Sequence, residues 1–303
     1  MTKDISMSDL LTFKRCQYRS FNQRVRGLET RAINRKMLIG TVMHRAWAAG
    51  YRTHPDVALR TMQNELIQCW GKGFNDHDKD YPPESFSHED RYLMEDMLDF
   101  WYQHKGMQDR YEILKVEEPI YVQIGDWTVR GTFDALVRDE GHLLVVDKKT
   151  CDSVKDETDW LPLDFQHWLY QYIGWRVFGE PVDFMLDRVR REVPPGFGHR
   201  EVRLTKKGVP AANNASTAVE DYLQRIPVPA KTVAELATFE SELINLLATV
   251  EWADKRGYYT RTEIRTGGQS CGGCPYKDVC VAEYYGNVLS DEVLNVMFDR
   301  RAS

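Results

Sequence analysis

Asp147 and Lys149 stand two residues apart in HLLVVDKKT (residues 142–150), a run whose aliphatic and β-branched side chains predict a strand. Side chains alternate between the faces of a strand, so the Asp147 carboxylate and the Lys149 ammonium share one face and Lys148 points to the other. Asp134 lies in the preceding strand-like run, WTVRGTFDALV (residues 127–137), three residues after Gly131. The turn signal Asp139-Glu140-Gly141 folds the two runs into a hairpin, which brings the two carboxylates together. Two carboxylates at the end of a sheet make a hard, oxygen-rich site suited to Mg²⁺ or Mn²⁺. Such an ion activates water and stabilises charge building on a phosphate, and a nearby lysine orients the water or takes its proton. An Asp-x-Lys by itself is as readily an ion pair on an edge strand. Its neighbours favour chemistry: His44 sits in GTVMHRA, and Gln166 and Tyr170 in FQHWLYQY share one helix face at i, i+4 spacing. Replacement of Lys148 by Ala, on the opposite face, is expected to affect that chemistry much less than replacement of Asp147 or Lys149.

The six cysteines divide into two groups. Cys271, Cys274 and Cys280 form C-x2-C-x5-C in a Gly- and Pro-containing loop, whereas Cys16, Cys69 and Cys151 stand apart. In a reducing compartment that spacing points to metal or cluster ligation, not to disulfides. Cys16, in the basic segment FKRCQYRSF, is the candidate fourth ligand, because the surrounding positive charge would offset that of the thiolates. Cys69 and Cys151 are expected to be small buried hydrophobes.

The elements that must position these groups follow from periodicity. Helices are expected over 6–26, 38–51, 56–71 and 88–105, with a loop at 74–87. The period then changes, and ILKVEEPIYVQI (residues 113–124) and the two runs above form a three-stranded meander. A helix over 163–178 follows, then strands at FMLDRVRR and HREVRLT on either side of Pro194-Pro195-Gly196. Helices over 216–225 and 232–256, the cysteine loop and a short final helix complete the chain. This is an α/β arrangement: an N-terminal helical region (1–105), a core (106–210) and a C-terminal region of helices and cysteines (211–303).

Hydrophobic residues at 42% and charged residues at 28% exclude disorder as the main state. No apolar run approaches the length of a membrane span or a signal core, so a cytoplasmic location without membrane association is expected. A formal charge of −6 excludes a protein that coats nucleic acid by bulk basicity. Residues 1–60 nevertheless carry twelve Lys/Arg against four Asp/Glu, and Arg15, Arg19 and the stretch around Arg190 are candidates for phosphate contact.

Taken in order, Gly40-x-x-x-His44, Gly131-x-x-Asp134, Asp147-Lys148-Lys149-Thr150 and Gln166-x-x-x-Tyr170 resemble the motifs of the PD-(D/E)XK nuclease superfamily in its RecB-like branch. The resemblance implies a restriction-endonuclease-like core with a mixed central sheet, bearing a helical annex. It implies Asp134, Asp147 and His44 as metal ligands, Lys149 as the group that positions the attacking water, and Gln166 and Tyr170 as contacts to DNA or to the lysine. A further Glu is frequent on the first strand of the meander, and both Glu117 and Glu118 qualify. The cysteine pattern resembles that of iron–sulfur AddB-type and CRISPR-associated nucleases, which implies a [4Fe–4S] cluster on Cys16, Cys271, Cys274 and Cys280. Structural zinc is the alternative for four thiolates. The cluster would tie the two ends of the chain together.

The expected function is Mg²⁺- or Mn²⁺-dependent DNA hydrolysis. An exonuclease on single strands or duplex ends, serving recombination or DNA processing in a phage or CRISPR context, is the leading form. The alternatives are a structure-specific endonuclease and a catalytically silent DNA-binding subunit. No G-x-x-x-x-G-K-[ST] occurs, so unwinding would require a helicase or recombination partner.

Overall fold

A computed structural model describes residues 3–30, 34–76, 79–154, 161–200, 218–262, 271–287 and 289–300. The fold is α/β with a mixed central sheet. Strand β1 (Lys3–Ser6) leads into helix α1 (Met7–Arg15), whose first turn Ser6 caps by accepting the Asp9 amide. At Cys16 the backbone is extended (φ −158°, ψ 112°), and helical structure resumes as α2 (Gln17–Ser20) and a π turn at Phe21–Val25. The helix expected over 6–26 is therefore broken at Cys16. The break lets the Tyr18 amide donate to the Thr260 carbonyl while Gln17 accepts from the Thr260 amide.

The next elements are β2 (Leu28–Thr30), α3 (Arg35–Tyr51), α4 (Pro55–Lys72), the hairpin β3 (Phe74–Asp76) and β4 (Lys79–Tyr81), and α5 (His88–His104). Asn34 caps α3 by accepting the Lys36 and Met37 amides, and Ser87 with Asp90 forms a capping box on α5. The meander is β5 (Glu112–Ile124), β6 (Trp127–Asp139) and β7 (His142–Cys151), followed by α6 (Phe165–Phe178), β8 (Val182–Arg190) and β9 (Leu223–Val228). Helices α7 (Val233–Arg256), α8 (Lys277–Tyr284) and α9 (Asp291–Met297) and strand β10 (Phe298–Arg300) complete it. No helix among the described residues is long and apolar enough to cross a membrane.

Two further sequence expectations are corrected, and another lies partly outside the described residues. The span 74–87 contains the β3–β4 hairpin. In place of a helix over 216–225 there is one 3-10 turn, Val219–Asp221, and then β9, because Leu223, Gln224, Arg225 and Ile226 pair with β8. Of HREVRLT, His199 and Arg200 lie in a turn and the rest falls outside the described residues.

The chain forms two compact units that cut across the consecutive division read from the sequence. One comprises Asn34–Ile120 and Thr132–Val233. In it β6 and β7 are antiparallel, β7 and β8 parallel and β8 and β9 antiparallel, with α6 as the crossover that a parallel pair requires. Its core joins Leu38, Val42, Met43 and Trp47 of α3, Met62 and Leu66 of α4, and Met94, Leu98 and Trp101 of α5 to Val189 and Tyr222. The other unit comprises Met1–Ile33, Tyr121–Gly131 and Ala234–Ser303. There β1 runs parallel to the start of β6 and β2 pairs antiparallel with β10. Helix α7 buries Leu236, Phe239, Leu243, Leu247, Val250 and Ala253, a stripe at i, i+3, i+4 spacing.

Lys148 does point away from Asp147 and Lys149, but into the core: its side chain is 1% exposed. The ammonium lies 2.8 Å from Asp187 and 3.9 Å from the ring centre of Trp101, with Trp47 and Tyr51 as further walls. Burial pushes Lys148 toward neutrality while the Asp187 carboxylate resists. Replacing Lys148 by Ala would leave the buried Asp187 without its nearest cation. The substitution should lower the free energy of unfolding by about 3–5 kcal/mol, the cost of breaking a buried pair from one side, measured by urea denaturation.

Candidate active site

Every catalytic position read from the sequence falls in the unit containing α3, α6 and β7. Helix α3 carries His44, and Gly40 one turn earlier lets that helix ride close over β7. A Cβ on Gly40 would stand 3.3 Å from the Thr150 hydroxyl. From this position His44 Nδ1 lies 3.3 Å from Asp134 Oδ1 and 3.6 Å from Glu117 Oε1. Donor atoms of His44, Glu117 and Asp134 all fall within 4.8 Å of one another, close enough to share one metal ion.

Glu117 reaches this group through a local irregularity. Its φ is +50°, a left-handed conformation uncommon for a residue with a Cβ and costly within a strand. Ile113 and Lys115 are half-buried before it, whereas Val116, Ile120, Val122 and Ile124 are buried, so the inward face changes parity at Val116–Glu117, as at a bulge. Arg52, at the end of α3, donates to the Val116 carbonyl at 2.8 Å and holds the preceding peptide. Glu118 is exposed and pairs with Lys115 at 3.1 Å, so the geometry chooses Glu117.

Asp134 is fixed from both sides, its Oδ2 accepting the Lys148 backbone amide at 2.6 Å while Oδ1 faces His44. Asp147 is 2% exposed, stands beside the three-donor group and is not part of it. Its Oδ1 accepts from Lys149 at 3.0 Å and from the Gln166 amide at 3.5 Å, and Gln166 also donates to the Tyr170 hydroxyl at 3.2 Å. Asp164 caps α6 by accepting the Gln166 and His167 amides, which starts the helix where Gln166 and Tyr170 face the strand end.

The charges are interdependent. Burial works against the His44 imidazolium, but Asp134, helped by Glu117, more than offsets it and raises the group to about 10. Burial likewise opposes the Asp134 anion, and His44 and Lys149 hold it down to about 2. For Asp147 burial prevails, aided by the Asp134 charge and opposed by Lys149, and the carboxyl is pushed up to about 6. Lys149 is raised, because Asp147 and Asp134 outweigh burial. Acidic groups dense enough to draw positive charge from a histidine and a lysine are also groups that a divalent cation satisfies.

The four cysteines Cys16, Cys271, Cys274 and Cys280 all lie in the other unit. The Cys274 and Cys280 thiols are raised, first by burial and then by the charges of both Cys16 and Cys271. Cys16 and Cys271 therefore each lie within electrostatic reach of both Cys274 and Cys280, with Arg19 acting on Cys274 and Arg261 bonded to Cys280. Cys69 is 2% exposed within the α3–α4–α5 core, in keeping with a packing role, and Cys151 is half-buried. Arg15 is exposed, whereas Arg190 is engaged by Glu192 at 2.5 Å.

Sequence reasoning named His44, Asp134, Asp147, Lys149, Gln166 and Tyr170 and left Glu117 and Glu118 undecided. It missed Arg52, whose side chain bonds a main-chain carbonyl 64 residues away, and the Lys148 amide, a main-chain donor for which residue type carries no signal.

A family model described as the PD-(D/E)XK nuclease superfamily matches residues 4–281. Among solved structures, a candidate exonuclease from Eubacterium rectale is similar at 13% identity over 88% of this chain and 90% of its own, with a TM-score of 0.51. The protein SSO0001 is 12% identical over 92% and 86% of the two chains with a TM-score of 0.39. LHK-Exo, solved in complex with dAMP, is 11% identical over 72% and 95% with a TM-score of 0.27. No curated protein sequence matches. The ordered motifs, the mixed sheet that carries them and a family match over nearly the whole length lead to one conclusion: the chain belongs to the PD-(D/E)XK nuclease superfamily.

Proposed function

We propose that the chain is a metal-dependent DNA exonuclease acting on single strands or duplex ends, with His44, Glu117, Asp134 and Asp147 as the residues that hold the metal. The observation that carries this reading is the convergence of three donors within 4.8 Å beside the Asp147–Lys149 pair. Their chemistry, two carboxylates and an imidazole, fits Mn²⁺ and Mg²⁺. When bound, such an ion supplies Lewis acidity toward a phosphate oxygen and water of lowered pKa. Lys149 holds a positive charge at the same end of β7, where it orients the water and offsets charge on the attacked phosphate. Gln166 keeps Asp147 and Tyr170 aligned by bonding both. The Lys148 amide fixes the Asp134 carboxylate, so its orientation costs nothing at the moment of reaction.

The test is incubation with end-labelled single- and double-stranded DNA and Mg²⁺, Mn²⁺ or EDTA, read as a product ladder. Cleavage should require the metal and release short products from ends; internal cuts in circular DNA would turn the reading toward an endonuclease. Glu117→Gln, Asp134→Asn and Lys149→Ala should each lower kcat by about 100-fold or more, the scale of losing one charge-stabilising group. Glu118→Gln should leave kcat near wild type, and equal losses from Glu117→Gln and Glu118→Gln would overturn the choice of ligand.

We further propose that Cys16, Cys271, Cys274 and Cys280 hold a [4Fe–4S] cluster. Cys16 and Cys271, each within electrostatic reach of both Cys274 and Cys280, with Arg19 and Arg261 beside them, fit a group that carries negative charge. Anaerobically prepared protein should be brown and hold about four iron per chain. Cys16→Ser should lose iron and thermal stability together, whereas Cys69→Ser should keep its iron. Colourless protein with one zinc per chain would replace the cluster with a structural zinc.

A further inference from the structure

We propose that the buried ladder Lys148–Asp187–Arg225 sets the strand register that delivers Asp147 and Lys149 to the active site, so that these three act as its positioning residues; this rests on the nuclease reading above. The three occupy opposing positions on consecutive strands, Lys148 of β7 against Asp187 of β8 and Asp187 against Arg225 of β9. The side chains bond in the same order, Lys148 Nζ to Asp187 Oδ2 at 2.8 Å and Arg225 Nη2 to the same oxygen at 3.2 Å. Arg225 also forks onto Asp109 at 2.6 and 3.0 Å. Trp101 of α5 donates its indole N–H to Asp187 at 3.1 Å, and Trp47 and Tyr51 of α3 close over the ammonium.

A register signal is needed here because hydrophobic pattern supplies none. β7 is buried continuously from Leu143 to Lys148, and Leu-Leu-Val-Val suits either face of a sheet covered on both sides. Register is weakly specified in such a strand, and a slip of one residue turns every side chain to the other face. A slip one way would set Asp147 in the box of Trp47, Tyr51 and Trp101 and a slip the other way would set Lys149 there, and either would send Lys148 outward. Either would also withdraw the Lys148 amide from Asp134. The ladder opposes the slip that sets Asp147 against Asp187, because two buried carboxylates would then share Arg225 as their nearest cation, whereas apolar neighbours accept either alignment. Buried ion pairs can commonly be exchanged for apolar residues with little loss of stability, so register, and not net stability, is what this one contributes.

The test is Lys148→Met with Asp187→Leu in the full chain, leaving the Arg225–Asp109 pair intact. The double variant should melt near the wild-type temperature. Its Mn²⁺ stoichiometry by calorimetry should fall to about half of wild type or less, as a mixture of registers requires. The sites that remain should bind with wild-type affinity, cleavage should fall in the same proportion, and amide spectra of Val145 and Val146 should double. Asp187→Asn, which keeps the side-chain volume, is read in the same way should the double variant fail to fold. Full stoichiometry with wild-type cleavage overturns the proposal, as does uniformly weakened binding at full stoichiometry. Wild-type protein that neither binds Mn²⁺ nor cuts DNA would instead overturn the nuclease reading and this inference with it.

Discussion

A charged side chain at the centre of the sheet is the constraint around which the nuclease unit is built. Alternation along β7 means that Asp147 and Lys149 can face the active site only if residue 148 faces the core, and residue 148 is a lysine. An ammonium placed there demands an anion, supplied by Asp187 at 0% exposure. Asp187 in turn stays ionised because Lys148 and Arg225 outweigh its burial. The aromatic box, the Arg225–Asp109 fork and the alignment of three strands all follow from satisfying that one charge.

Helix α3 connects this interior to the site. Gly40, His44, Trp47 and Tyr51 recur at four-, three- and four-residue spacing and so share one stripe. Along it lie a close approach to Thr150, the proposed metal donor His44 and two walls of the lysine box. The His44 ring meets Trp47 edge to face at 5.7 Å, so the donor and the box pack directly on one another. Arg52 then clasps the carbonyl that precedes Glu117. The G-x-x-x-H spacing is therefore a packing rule as much as a chemical one: glycine permits the approach that histidine uses.

How much was legible in the sequence follows from where each signal resides. Alternation placed Asp147 opposite Lys148, and i, i+4 spacing placed Gln166 with Tyr170, because both follow from local backbone geometry. The meander was readable from β-branched runs and turn residues, and α7 from its apolar stripe. Glu117 could not be separated from Glu118, since the choice depends on a positive φ that no glycine announces. The burial of Lys148 was hidden because its partners Asp187 and Arg225 arrive from strands 39 and 77 residues away, the second of which had read as a helix. Residues 223–228, LQRIPV, are too short for periodicity to decide, and tertiary pairing overrode local preference.

The unit holding the cysteines is joined by contacts that do not involve sulfur. Its two chain ends are already joined by β2–β10 pairing, by the Tyr276 hydroxyl on the Leu28 carbonyl at 2.6 Å, and by Tyr18 and Arg26 on Glu283. Leu28, Tyr276, Val279, Leu294 and Phe298 form a core of their own, with Cys274 packed against it. Cys16 sits at the helix break because Gln17 and Tyr18 are bonded to Thr260, a constraint that owes nothing to sulfur. The thiols are thus held by ordinary protein contacts, and a site held in advance spends little of its binding free energy on ordering ligands. The proposed cluster would then act chiefly on the unfolded chain, by tying Cys16 to a loop about 255 residues away, worth roughly 5 kcal/mol in the chain-entropy model. Iron loss in this unit should accordingly loosen resistance to unfolding before it disturbs native geometry.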